Sequence, residues 1–210
     1  MKRLMIVALI ALCVAALLPQ TLSAGFGIKG GYSLSKFSLA PSNPFLPFPI
    51  VNLPSPLGGI YFNLKLGPLA IQPEVLYVRM GSKFELEGTG LQYRMDYIQV
   101  PVLLKLSVIP LGPIRPVIYA GGYGAYLLKA NGAIIEGGAV GPYTDTSDQF
   151  EKYDYGVVGG AGIEFKLPGI SFSIEGRYNY GLKNIWIPVD IDDTMAWKNR
   201  SMMVLVGIGF

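Results

Sequence analysis

The sequence contains no histidine, and its single cysteine, Cys13, falls in an N-terminal segment that has the pattern of a removable leader. Histidine is the usual proton carrier near neutral pH. Without it, and without a mature cysteine, Ser–His and Cys–His nucleophilic pairs and His or Cys metal sites are excluded. A carboxylate pair could still act alone, but without the usual proton carrier we expect no enzymatic activity and no cofactor.

Long hydrophobic runs are also absent after the leader, although 51% of the residues are hydrophobic. No stretch reaches the roughly 18 apolar residues that a membrane-spanning helix requires. A closed β-barrel is the other structure that satisfies every backbone polar group within lipid. The composition therefore favours a barrel.

The leader comprises residues 1–24. Lys2 and Arg3 precede an apolar run, and small residues end the segment at Ala24. This is the layout of a secretory signal peptide, so we expect removal of 1–24 and a barrel domain at 25–210. Loss of the two leader cations lowers the formal net charge from +3 to +1, which gives no support for a nucleic-acid partner.

Strand-like segments recur along the chain with alternately short and long connections. They cover 25–37, 57–66, 69–80, 94–108, 114–128, 153–166, 170–182 and 199–210. The short connections lie at 67–68, 109–113 and 168–169, and the long ones at 38–56, 81–93, 129–152 and 183–198. This layout predicts an eight-stranded antiparallel up-and-down transmembrane β-barrel with short periplasmic turns and long extracellular loops.

The segment "ISFSIEGRYNYGL" at 170–182 separates apolar from polar residues with a period of two. A soluble lipocalin-like periplasmic barrel shows the same period but is inverted, with a polar exterior around an apolar pocket. Glycine and serine dominate the polar row here, which suits the narrow interior of an eight-stranded barrel. We therefore predict that the apolar row faces lipid.

Aromatic residues sort by type between the two predicted rims, as membrane-interface girdles do. The tyrosines predicted at the long-loop rim are Tyr32, Tyr61, Tyr77, Tyr97, Tyr126, Tyr155, Tyr178 and Tyr180. The phenylalanines predicted at the short-turn rim are Phe26, Phe165, Phe172 and Phe210. The stretch "VLVGIGF" forms the last predicted strand, and its Val206, Ile208 and Phe210 are predicted to be an assembly signal for the barrel-assembly machinery.

Charged residues recur on the polar row, which we predict to face the lumen. They are Lys29, Lys65, Glu74, Lys105, Arg115, Glu164, Lys166, Glu175 and Arg177. Unpaired charges in so narrow a space would be costly, so we expect acids and bases to interlock as a plug. The alternative is a narrow path for small anionic solutes, because six bases face three acids.

Two long connections carry further candidates. Asp190, Asp192 and Asp193 form a weak candidate for a divalent-cation site near lipopolysaccharide, the alternative being a solvated loop tip. The Pro-rich stretch 39–56 is interpreted as a loop folded over the rim or as a contact surface for a partner. Pro101 lies inside a predicted strand, where we expect a bulge.

Several stretches together resemble the PorT-like outer-membrane β-barrels of Bacteroidota-type bacteria, over most of 25–210. They are "QPEVLYVRMG" (72–81), "YIQVPVLLKL" (97–106), "RPVIYAGGYGAYLL" (115–128), "YDYGVVGGAGIEF" (153–165) and "GRYNYGLKNI" (176–185). The resemblance implies the barrel fold and the outer membrane, and some members of this family are linked to type IX secretion.

The expected function is that of a non-enzymatic outer-membrane protein with a structural or accessory role, acting through its outer loops. Its expected partners are outer-membrane lipid and lipopolysaccharide, the barrel-assembly machinery, and a secretion-system or surface protein. A narrow solute channel and a soluble binding barrel remain the alternatives.

Overall fold

The computed structural model describes residues 22–40, 50–108, 113–187 and 196–210. Its strands are β1 (Leu22–Ala40), β2 (Ile50–Leu66), β3 (Leu69–Leu86), β4 (Thr89–Ser107), β5 (Ile114–Glu136), β6 (Ala139–Val140), β7 (Thr144–Asp145), β8 (Tyr153–Leu167), β9 (Ile170–Gly181) and β10 (Ala196–Gly209). A short 3₁₀ helix, Ser147–Gln149, separates β7 from β8. Within these residues, no helix has the length and apolar character needed to cross a bilayer.

Eight of these strands form a closed ring in which all neighbours are antiparallel. The order is β1, β2, β3, β4, β5, β8, β9 and β10, and the pairing of β10 with β1 completes the ring. The two short strands β6 and β7 pair with the far end of β5. Closure gives every ring strand a partner on both sides, which confirms the predicted eight-stranded barrel.

The two ends of the barrel differ in their connections. Two-residue turns join β2 to β3 and β8 to β9, and Phe26 lies beside Phe210 at the same end. We call this the short-turn end. At the opposite end, the long-loop end, β1 leads to β2, β5 to β8 and β9 to β10.

The apolar row of each strand faces outward and the polar row faces the interior, as predicted. On β9, Ile174 is 55% exposed while its neighbour Glu175 is 2% exposed, and on β10 Val204 is 62% exposed beside Leu205 at 1%. A soluble barrel would have the opposite arrangement, with its polar row in water. The exterior therefore suits hydrocarbon as its solvent.

One of the predicted long connections is largely strand, and a second is strand over half of its length. β3 continues to Leu86 and β4 begins at Thr89, so the predicted loop 81–93 is wrong; the connection is the pair Glu87–Gly88, with φ of 50° and 79°. β5 likewise continues to Glu136 before Gly137 and Gly138 turn the chain into β6 with φ of 58° and 78°. Positive φ at both central residues is the geometry of a tight hairpin turn.

The Pro-rich stretch is also partly strand, because β2 begins at Ile50 and contains Pro54 and Pro56. The register between β2 and β3 shifts between Asn52 and Leu57, around these two prolines, which lack the N–H that a ladder uses. The remainder of the stretch, 41–49, lies outside the described residues.

The bulge expected at Pro101 is wrong. The register of β4 with β5 runs through Pro101 unchanged and shifts only at Asp96–Tyr97. On the other side, pairing between β3 and β4 lapses between Pro73–Val102 and Leu76–Gln99 and then resumes in the same register. A gap in the ladder therefore accommodates the missing N–H without an inserted residue.

Candidate functional site in the barrel interior

Six charged side chains cross the interior in the half nearer the short-turn end, and all are nearly inaccessible to solvent. We call them the charge cluster: Lys29 from β1, Glu74 from β3, Lys105 from β4, Glu164 from β8, and Glu175 and Arg177 from β9. The two-residue period of each strand turns these side chains inward.

The centre of the charge cluster is the pair Arg177–Glu74. Arg177 donates from Nη1 to Glu74 Oε2 at 2.7 Å and from Nη2 to Glu74 Oε1 at 3.0 Å. Lys29 Nζ donates to the same Glu74 at 2.7 Å and reaches Glu175 Oε2 at 3.1 Å. The two-pronged arrangement is the strong form of an arginine–carboxylate contact.

Lys105 extends the cluster toward the short-turn end. Its Nζ donates to Glu164 Oε1 at 2.9 Å, to Glu175 Oε1 at 3.2 Å and to Gln72 Oε1 at 3.1 Å. Glu164 also accepts from Lys65 Nζ at 3.4 Å. Each buried charge in the cluster therefore has a partner of opposite sign, the condition under which burial of ions is tolerated.

Two inward tyrosines lie beside these cations. Lys29 lies 4.8 Å from the ring centre of Tyr61, and Arg177 lies 5.4 Å from that of Tyr119. Both rings face glycines on the adjacent strand, since a Cβ at Gly27 would lie 2.5 Å from Tyr61 and one at Gly160 would lie 2.6 Å from Tyr119. Gly27 and Gly160 thus leave room for these two rings inside the barrel.

The structure brings together seven of the nine predicted lumen charges: the charge cluster and Lys65. Arg115 lies opposite Glu164 in the β5–β8 ladder, yet its Nε is buried without a hydrogen-bond partner. Among the described residues, neither Arg115 nor Lys166 takes part in an ion pair. The three cations and three acids of the charge cluster balance, whereas Lys65, Arg115 and Lys166 remain in excess at the short-turn end.

Aromatic side chains fill the interior at the long-loop end. We call them the aromatic plug: Phe37, Phe84, Tyr93, Phe150, Trp186 and Trp197. The indole rings of Trp186 and Trp197 stack at 4.6 Å, and Trp197 also contacts Phe37 at 5.3 Å and Phe84 at 5.6 Å. Five of the six lie in stretches that sequence reasoning assigned to loops, so the plug was missed. The high aromatic content of these stretches is the signal in the sequence that indicates such a plug.

Between the charge cluster and the aromatic plug lies a layer of buried polar and apolar side chains. Asn179 donates to Gln99 across the interior at 3.1 Å, and Asn199 donates to Asp154 at 2.9 Å. Tyr97 belongs to this layer and is fully buried. Its predicted place in the outer aromatic girdle is therefore wrong, because β4 turns Tyr97 to the same face as Lys105.

The other predicted girdle residues face outward. At the long-loop side they are Tyr77, Tyr126, Tyr155, Tyr178 and Tyr180, and at the short-turn side Phe165 and Phe172. Tyr32 also faces outward, but Tyr61, which had been grouped with it, is buried in the interior.

The predicted assembly residues lie where the ring closes. Val206 pairs with Gly30 and Ile208 with Ile28. The Phe210 N–H donates to the Phe26 carbonyl at 2.8 Å, and the two rings lie 5.6 Å apart. The side chains of Val206 and Phe210 are exposed on the outer surface.

The candidate cation ligands Asp190, Asp192 and Asp193 lie outside the described residues. Within the part of the chain that the structure describes, no group of three His, Cys, Asp or Glu side chains is placed to hold a metal ion.

Comparison with known proteins gives one family and several similar structures. Residues 19–186 match the family described as outer membrane protein beta-barrel domain. No protein of curated function matches the sequence. Neisserial surface protein A (NspA) is similar with 14% sequence identity and a TM-score of 0.48, over 89% of this chain and 97% of that chain.

Two further solved structures are similar. Ail, the attachment invasion locus protein of Yersinia pestis, has 14% identity and a TM-score of 0.43, over 90% of this chain and 99% of its own. The outer membrane protease OmpT from Escherichia coli has 9% identity and a TM-score of 0.46, over 90% and 98% of the two chains. At these identities the likeness concerns the fold alone.

Proposed function

Because the chain belongs to the family of outer membrane protein beta-barrel domains, we propose that it is a sealed, non-enzymatic barrel of the outer membrane. Its role is structural or accessory, and it acts through its extracellular end. In this family of folds the short turns face the periplasm and the longer connections face the outside. The short-turn end is accordingly periplasmic.

The observation that carries the proposal is the double closure of the interior. The charge cluster crosses the lumen in one half with every member paired, and the aromatic plug fills the other half. An eight-stranded barrel has room inside for little more than its own side chains. The alternative, a narrow path for anions, would require a continuous lining of unpaired cations, whereas the cations of the charge cluster are neutralised.

Single-channel recording tests the sealed barrel. The purified protein, with folding checked by its altered gel mobility before boiling, should give no conductance steps in a planar bilayer. A double variant, Phe84→Ala with Trp197→Ala, opens only the aromatic plug and should also stay silent because the charge cluster still closes the lumen. Reproducible conductance of the unmodified protein would establish the channel alternative instead.

The non-enzymatic part of the proposal is supported by residue chemistry. The sequence has no histidine, and the buried carboxylates of the charge cluster are engaged by Lys and Arg rather than facing a substrate cleft. Purified barrels incubated with phospholipid, lipopolysaccharide and peptide substrates should release no products. Turnover that disappears in Glu74→Gln would contradict the proposal.

A link with protein secretion is the finer part of the accessory role, and its support is the resemblance to PorT-like barrels. Cells lacking the protein should deliver less cargo to their surface while keeping the outer membrane intact. An unchanged set of surface proteins would count against this link and leave the sealed barrel untouched.

The membrane partners follow from the outer surface. Outward aliphatic residues between the tyrosine and phenylalanine girdles would contact lipid, and the long-loop end would contact lipopolysaccharide.

We propose that the leader is cleaved after Ala24. Such a cut would shorten β1 to begin at Gly25, removing the pairs of Ser23 with Lys65 and Ala24 with Leu64. N-terminal sequencing of the mature protein tests the position.

Recognition by the barrel-assembly machinery is proposed to depend on Phe210. Its ring packs on Phe26 where β1 meets β10, so its loss would weaken both the signal and the closure. Deleting Phe210 should lower the amount of folded protein in the outer membrane. Phe172→Ala removes a girdle ring from the same end and is the control: an equal loss would mean that Phe210 acts only as a girdle residue.

A further inference from the structure

The short-turn end carries three inward cations that the charge cluster does not neutralise. Lys65, Arg115 and Lys166 come from β2, β5 and β8. Lys65 pairs with Glu164 at 3.4 Å, but Glu164 accepts a shorter hydrogen bond from Lys105, at 2.9 Å. Arg115 lies opposite Glu164 in the β5–β8 ladder, and Lys166 follows Glu164 by two residues on the same face of β8.

Two observations show that Arg115 and Lys166 are not neutralised by an ion pair within the described residues. Arg115 Nε is buried without a hydrogen-bond partner, and a buried donor without a partner is costly. Lys166 makes no ion pair among the described residues, and its partner in the β8–β9 ladder is the uncharged Ser171. Like charges held together in this way favour an external anion.

A pocket is present at the same place. It has a volume of about 210 Å³ at the short-turn end, and its wall includes Ser23 and Ala24, whose removal by the proposed cleavage would open it further. Lys65, Lys105 and Lys166 line it, together with Asn63, Ser171 and Ser173. Glu164 and Glu175 also line it, and both are engaged by lysines, Glu164 by Lys65 and Lys105 and Glu175 by Lys105. Since one water molecule takes about 30 Å³ of liquid, the pocket has room for a small polyatomic anion with some water.

We propose that this pocket binds a phosphoryl oxyanion, held by Lys65 and Lys166 in the field of Arg115. Lysine ammonium groups are common phosphate ligands, and a phosphoryl group has enough oxygens to accept from several of them and from the serine hydroxyls at once. Its negative charge, of one unit in a phosphodiester and between one and two in free phosphate near neutral pH, would offset part of the excess. Free phosphate in the periplasm and a phospholipid headgroup of the inner leaflet present the same chemistry.

The test measures binding of inorganic phosphate to the detergent-solubilised barrel by isothermal titration calorimetry at constant ionic strength. The unmodified protein should bind phosphate, and the double variant Lys65→Gln with Lys166→Gln should bind at least about tenfold more weakly, since charged hydrogen bonds of the kind lost contribute on this order. Lys36→Gln is the matched control, because Lys36 faces outward near the long-loop end. Its affinity should be unchanged.

A second titration with short-chain phosphatidylglycerol identifies the source. Lysine-dependent binding of the lipid as well as phosphate assigns a headgroup site, and binding of phosphate alone assigns a free-anion site; either result supports the proposal. It is overturned if neither probe binds, if Lys36→Gln loses as much affinity as the double variant, or if succinate binds as tightly as phosphate. Gel mobility before boiling confirms that each variant is folded.

Discussion

Two buried carboxylates in the interior have opposite surroundings. Glu74 accepts from Arg177 through both oxygens and from Lys29. Asp154 accepts from Asn199 through Oδ2, while its Oδ1 has no hydrogen-bond partner and no cation pairs with it within the described residues. A charge with good partners is costly to remove, and a buried charge without a cation is costly to keep.

We therefore expect opposite effects from two matched substitutions. Glu74→Gln should lower the free energy of unfolding by about 3–5 kcal/mol, because it leaves Arg177, Lys29 and Lys105 with one carboxylate fewer and makes Glu175 the remaining charged partner of both Arg177 and Lys29. Asp154→Asn should leave the stability unchanged or raise it. Both can be measured by urea unfolding from lipid vesicles, since the two tryptophans of the sequence both lie in the aromatic plug and report on its opening.

Equal losses in the two variants would contradict this account, because the two carboxylates would then contribute alike despite their different partners. If Glu74→Gln yields no folded protein, the paired change Glu74→Gln with Arg177→Met serves instead, because it removes the excess positive charge and should recover part of the stability.

At the scale of single residues, the placement of Tyr97 was available from the sequence. Tyr97 and Lys105 are eight residues apart on one strand, and a period of two places them on one face. Since Lys105 was predicted inside, Tyr97 had to be inside as well. Tyr61 and Lys65 stand in the same relation on β2. The prediction that placed both tyrosines in the outer girdle did not take this two-residue period into account. The structure shows that the rings of Tyr61 and Tyr97 are both buried.

At the scale of strands, β5 and β8 fit together through rings that lie over glycines. Tyr119 is opposite Gly160 in the ladder, and Tyr123 is opposite Gly156. A Cβ at Gly160 would lie 2.6 Å from the Tyr119 ring and 2.4 Å from the Gly176 carbonyl oxygen. Both distances are too short for contact without a shift of the ring or of the strand.

Gly160→Val should therefore lower the free energy of unfolding by about 1–3 kcal/mol, the usual cost of overpacking. Gly124→Val is the control. It makes the same change on the outer face of β5, where a Cβ would meet no atom within 4 Å. The same unfolding measurement serves for both. If the two valine variants are equally stable, contact with Tyr119 does not explain the glycine.

Strand boundaries at the long-loop end could be predicted only in part. The stretches 81–93 and 129–136 mix polar and apolar residues, which is typical of loops, but here they pair with one another as an extension of β3, β4 and β5. Pairing of Leu91 with Ile134 is an example. Backbone pairing between distant segments stabilises these strands beyond the membrane band, and a local pattern does not contain it.

At the scale of the whole molecule, the outer surface has an apolar band that ends at polar groups. Ile174 lies between Phe172 and Tyr178 on β9, while Ile134 lies on the extension of β5 beyond Lys129. Both isoleucines are more than half exposed. If the bilayer covers only the band between the girdles, Ile174 faces lipid and Ile134 faces water, although their exposure is similar.

Ile174→Arg should then lower the free energy of unfolding in lipid vesicles by about 2–4 kcal/mol, whereas Ile134→Arg should change it by about 0–1 kcal/mol. In detergent micelles the difference between the two variants should shrink, because a micelle adapts its shape more readily than a bilayer. A larger loss from Ile134→Arg than from Ile174→Arg would mean that the band has been assigned to the wrong height.

The class of the molecule could be predicted from the sequence. A two-residue alternation is local and indicates a barrel, and the glycine and serine of the polar row indicate which face lies inside. An apolar row that faces outward then requires lipid around a closed ring. The tertiary structure alone decided which inward side chains meet. Arg177 reaches Glu74 across 103 residues of sequence, and Asn199 reaches Tyr97 across 102. Such contacts depend on the stagger of the closed ring, which sets the height of every strand relative to those across the lumen. Balance within the charge cluster, the excess of cations at the short-turn end and the aromatic plug all follow from that stagger.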